Sequence, residues 1–250
     1  MTTEYDIEKI KYAIDSGTFE RAVDLYASGK VTNVHDQGRE VIATVRGGQS
    51  YRVSVSKSHF DAGGCECYLG QKDHLCKHMI ALAIHCATNG KQLHEEDTKP
   101  VGEMQCSCRM GTLSKEELRI AKSDITAALR SIKPYSGPSR IWFAYQDSLM
   151  EGARRVATIF SKFPVSEQTS LLVVQTLLRI ERKLMNGVDD SDGTVGGCIE
   201  QGVIMLEEYA RHDRVCIKSF RQLCGLQTSF GWEDPLVKIV DEGVDGENVL

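Results

Sequence analysis

Two short pairs of ligand-bearing residues, Cys65-Glu66-Cys67 and Cys76-Lys77-His78, stand eight residues apart, and nothing else in the chain restricts its folding as tightly. Three thiolates and an imidazole are donors that zinc prefers. Together they close a tetrahedral shell with no position left for water, which is the coordination of a structural ion rather than a catalytic one. Gly63 and Gly64 are expected to let the chain leave a strand in a tight turn that brings the first pair inward. The second pair falls where a helix begins, with Asp73 in the place of an N-cap. Positions i and i+2 do not share a helix face, so Cys76 has to lie close to the helix start if it and His78 are to reach one ion. The competing use of His74 and His78, spaced i, i+4 as in zinc peptidases, needs a glutamate base directly after the first histidine, and that position is Leu75.

The segments around these pairs carry strand and helix signals. A helix over Phe19–Ala27 precedes strands over Lys30–His35, Glu40–Arg46 and Tyr51–Lys57. In the last of these, Tyr51, Val53 and Val55 alternate with Arg52, Ser54 and Ser56, the period of a strand wet on one face. A three-stranded meander is expected. Leu75, Met79, Leu82 and Cys86 then fall at helical spacing in a helix from about Asp73 to Ala87 that stops near Asn89 and Gly90. Residues 91–103, with three consecutive acids and a proline, are expected to form a solvated linker.

Beyond residue 103 the chain turns helical. Ser114 and Glu117 form a capping box ahead of Ala121, Ile125, Ala128, Leu129 and Ile132, and Pro134, Gly137 and Pro138 stop that helix. Amphipathic spacing marks a second helix through Leu149 to Phe163, a third through Leu171 to Met185 and a fourth over Val195–Tyr209. Asp234 and Pro235 form the cap and first-turn pair of a shorter one. The fold class expected is α+β, a small β-meander and helix built on zinc, followed by an all-α bundle of helical hairpins or a short solenoid. The corresponding domains are 1–99, with a metal-binding core at about 51–90, and 100–250.

The order Cys-x-Cys, gap, Cys-x-His, preceded by a meander and continued by an apolar helix, resembles the SWIM zinc finger. The stretch Gly17–Val31 is similar to the segment that precedes the finger in bacterial members, and the likeness covers about residues 19–90. Many members carry proline after the second cysteine, where this chain has Tyr68. The resemblance implies one structural zinc on Cys65, Cys67, Cys76 and His78, in a module that binds DNA or protein.

The whole chain has a formal charge of -5, which argues against general DNA coating, yet between Lys30 and Lys91 eight basic residues face five acidic ones, a local excess of +3. Arg52, Lys57, Lys72 and Lys77 are the expected contacts to DNA, and the helical half is the expected surface for a protein partner. The alternative is an adaptor that binds only proteins. No Ser/His/Asp set, phosphate loop or dinucleotide fingerprint occurs, so no enzyme is expected. The N-terminus has no leader pattern, the longest apolar run, Met79–Ile84, is too short to span a bilayer, and nine reduced cysteines suit a cytoplasmic protein without membrane contact. Cys106 and Cys108 form another Cys-x-Cys that no Cys-x-His follows, so a second zinc would need ligands from distant segments and linker thiols are the plainer expectation. Cys86, Cys198, Cys216 and Cys224 are expected in the core. Asp189–Gly193 resembles a calcium loop, but placing Gly193 at the loop glycine puts Val188 and Ile199 at ligand positions, so it is expected to be an acidic turn capping the next helix.

Overall fold

The computed structural model describes residues 2–137 and 142–247, with the backbone alone at 142–144 and 243–247, so Pro138 lies outside the described residues. The chain forms two compact units, Met1–Gly102 and Glu103–Leu250. The fold is α+β.

The first unit opens with α1 (Ile7–Ala13) and α2 (Ser16–Ala27), each started by an aspartate whose carboxylate accepts a backbone N–H, Asp6 from Lys9 and Asp15 from Thr18. An antiparallel sheet follows, in the order β1 (Val31–Asp36), β2 (Glu40–Arg46), β3 (Ser50–Ser56), β4 (Gly63–Cys65). Val41, Ala43, Val45, Val53 and Val55 point inward, while Ile42, Thr44, Arg52 and Ser54 occupy the wetter face. The helix α3 (Lys77–Thr88) packs on the sheet with one side and on α1 and α2 with the other. It is therefore buried from His78 through Ile84 without interruption, and its apolar character runs all the way round. Asn89 ends it in the left-handed region at φ 52°.

Three local expectations change. The sheet has a fourth strand, because the chain turns at Lys57–Ala62 and Gly63 and Gly64 then pair with β3 rather than leave it. Gly63 is required there, since a Cβ would lie 2.1 Å from the Ser54 carbonyl oxygen. Asp73 does not cap α3. It sits at φ 57° after a 3-10 turn at Gly70–Lys72, and the N-cap is Cys76 itself. Residues 95–98 form a short helix, α4 (Glu95–Thr98), in a stretch tied to the first unit by Lys11 Nζ donating to the Glu96 carbonyl and Ser16 Oγ to that of Val101.

The second unit contains α5 (Lys115–Ser131), α6 (Trp142–Phe160), α7 (Glu167–Met185), α8 (Thr194–His212), a run of 3-10 turns at Arg214–Leu223 and α9 (Asp234–Glu247). The capping box of Ser114 and Glu117 is made in both directions. The acidic turn caps α8 as expected, with Asp190 Oδ1 accepting from Val195 N at 2.7 Å and Oδ2 from Gly196 N at 2.8 Å. Helix α8 packs against α6, α7, the 3-10 turns and α9, which makes the unit a bundle rather than a stack in which each element meets only its neighbours. Cys86, Cys198 and Cys216 are buried, whereas Cys224 is exposed because it ends the 3-10 run one residue past the buried Leu223. Among the described residues, no helix is long and apolar enough to cross a membrane.

Candidate metal centre

Cys65 closes β4, Cys67 follows in the loop, Cys76 caps α3 and His78 lies in its first turn, and all four are buried. Their donor atoms lie within 4.8 Å of one another. His78 Nδ1 stands 3.8 Å from both Cys65 Sγ and Cys76 Sγ. A tetrahedral zinc with ordinary Zn–S and Zn–N bonds would hold such atoms about 3.6 Å apart. The four residues therefore fit a metal ion with little movement, and the set is closed by protein alone. Late onset of α3 is what makes this work, because the extended Cys76 and the second helical residue His78 can converge where two residues inside a helix could not.

Backbone N–H groups already point at the sulfurs. Cys67 N donates to Cys65 Sγ at 3.5 Å, a contact that favours the Cys65 thiolate, and Gly70 N donates to Cys67 Sγ at 3.4 Å. The neighbouring Cys65 thiol holds that of Cys76 below its usual range despite burial, and the same contact with burial raises Cys65.

Two glycines that the spacing of ligands does not reveal shape the site. A Cβ on Gly47, in the β2–β3 turn, would lie 2.5 Å from His78 Nε2, and one on Gly70 would lie 2.2 Å from the Cys65 carbonyl oxygen. His78 is further flanked by the Tyr51 ring, 4.6 Å between centroids, and its buried Nε2 has no hydrogen-bond partner among the described residues. The only hint in the sequence is the Gly47-Gly48 dipeptide between the second and third strands.

The four basic residues singled out for DNA are not equivalent. Arg52 is exposed on the wet face of β3, and its backbone N–H donates to Glu66. Lys57 is paired with Asp36 at 2.5 Å, which neutralises it locally. Lys72 is exposed, stacks 4.2 Å above the Tyr68 ring and donates to its hydroxyl at 2.6 Å. Lys77 is half-buried in the first turn of α3. Tyr68 itself is 71% exposed, in the loop between the two ligand pairs.

Fold and site together define an α+β unit with a closed Cys3His donor set that could hold a metal ion. No protein-family model matches the chain, and no curated protein or solved structure matches it.

Proposed function

We propose that the first unit is a zinc-dependent DNA-recognition module of the SWIM type, without enzymatic activity. The observation that carries this reading is the convergence of Cys65, Cys67, Cys76 and His78 into one buried, closed donor set. Such a site fixes a loop and leaves no open position for chemistry. The loop it fixes presents an exposed aromatic ring with a lysine over it, Tyr68 and Lys72, next to the wet sheet face that carries Arg52. Phosphate attraction needs only such a local cationic surface, and an exposed ring adds a stacking platform for a base.

Binding of short DNA duplexes and single strands across a salt series tests this. Lys72→Glu with Lys77→Glu should weaken binding and flatten the slope of log affinity against log salt by about one to two units, one for each lost phosphate contact. Zinc content should stay unchanged. A wild-type protein with no DNA affinity at low salt would refute the reading and favour a protein adaptor. For that second reading one observation speaks: Met185, Ile204 and Phe230 of the helical unit are 69%, 55% and 68% exposed.

A further inference from the structure

The segment around the second Cys-x-Cys is not a free linker. Gln105 N donates to Ser161 Oγ at 3.0 Å, Ser107 Oγ to the Phe163 carbonyl at 2.6 Å, and Val165 N to the Arg109 carbonyl at 2.6 Å. Residues 105–111 are thereby laid strand-like along the α6–α7 connection, with a parallel bridge between Met110 and Val165. The last residue of α8, His212, reaches the same place. Its helix is pinned there by the buried Tyr209, whose hydroxyl donates to the same Phe163 carbonyl at 3.4 Å. The donor atoms of Cys106, Cys108 and His212 lie within 4.8 Å of one another.

One contact of the first centre recurs here. Cys108 N donates to Cys106 Sγ at 3.3 Å, as Cys67 N does to Cys65 Sγ at 3.5 Å. Cys108 adopts φ 53°, in the left-handed region that non-glycine residues rarely enter, and in this conformation its amide meets the Cys106 sulfur. The exposure differs from the first centre. Cys106 is half-buried, while Cys108 and His212 face solvent.

We propose that Cys106, Cys108 and His212 form a second zinc site, a Cys2His set whose fourth position is open to an exogenous donor. Two thiolates and an imidazole suit zinc, each thiol losing its proton to solvent as the ion binds, and three protein ligands leave one tetrahedral position unfilled. Water fills that position in the isolated chain, and a nitrogen or sulfur donor from elsewhere can displace it. The site lies within the helical unit and does not depend on DNA recognition by the first.

The test uses the full chain, kept reduced, loaded with zinc and desalted. It should carry two equivalents, falling to one in His212→Ala and in Cys108→Ser, with the circular dichroism of both variants unchanged because both side chains are exposed. Loaded with cobalt instead, the wild type should show an absorption spectrum that shifts on adding imidazole, and His212→Ala should not. One equivalent in the wild type, or two retained in both variants, would overturn the site. A second cobalt whose spectrum ignores imidazole would overturn its open position.

Discussion

Gly47 is a place where a single methyl group would press directly on a side chain of the first centre. Its Cβ would meet His78 Nε2 at 2.5 Å, so in Gly47→Ala the imidazole has to swing and Nδ1 loses its aim at the two sulfurs. Changes that disturb the orientation of a metal-bound histidine typically weaken metal affinity by about 10- to 100-fold, and that is the loss expected in competition with a chromophoric chelator. The neighbouring Gly48→Ala, whose Cβ would meet nothing within 4 Å, should bind zinc like the wild type. Equal affinities for the two variants would mean that His78 is not a ligand. At this scale the clustering of the four donors was legible, because two pairs of soft donors at fixed spacing have few other uses. Gly47 and Gly70 were not legible, since the contacts that forbid a side chain there come from residues distant in sequence or folded back by the loop.

At the scale of elements, what could be read was what repeats. The alternation in β3, the apolar spacing of α5 and the capping box all rest on several residues agreeing with one another. The fourth strand has three residues, too few to show a period, and its existence depends on Gly63 meeting Ser54. The start of α3 was misplaced for a different reason. Asp73 has the chemistry of an N-cap but stands in the left-handed region, and Cys76 is extended where it meets the other three donors, so the helix begins only after it. Where an acidic residue does cap, in the turn before α8, the effect should be measurable. Asp190 accepts two backbone N–H groups, and Asp190→Ala should destabilise the helical unit by about 0.5 to 2 kcal/mol in chemical denaturation. Asp190→Asn, which retains an acceptor, should lose less. No change in either variant would mean that α8 starts without help from this turn.

The molecule as a whole carries two separate hydrophobic cores. One gathers Ile10, Phe19, Val41, Ile80 and Ile84 around α3, and the other gathers Ile125, Leu149, Leu177, Leu206 and Phe220 within the helical unit. The patterning of the sequence changes from strand to helix between them, and the acidic stretch at 91–103, expected to be a solvated linker, is bonded back to α1 and α2. If the first centre holds zinc as proposed, removing the ion would leave three sulfurs and an imidazole buried without a cation. Apparent zinc-binding energies of about 10 to 16 kcal/mol in small fingers match or exceed the whole stability of a typical domain. In calorimetry a strong chelator should therefore abolish or sharply lower the transition of the first unit and leave that of the helical unit in place. Transitions that move together would mean that the two units unfold as one.

The most direct measurement is the zinc content of the first centre, by elemental analysis in a Cys106→Ser background so that one site alone is counted. That protein should hold one equivalent of zinc, and adding Cys76→Ser should bring it to none, because the shell then lacks the thiolate at the N-cap position of α3. A full equivalent retained after Cys76→Ser, or none present before it, would contradict the assignment of Cys65, Cys67, Cys76 and His78 as a zinc centre.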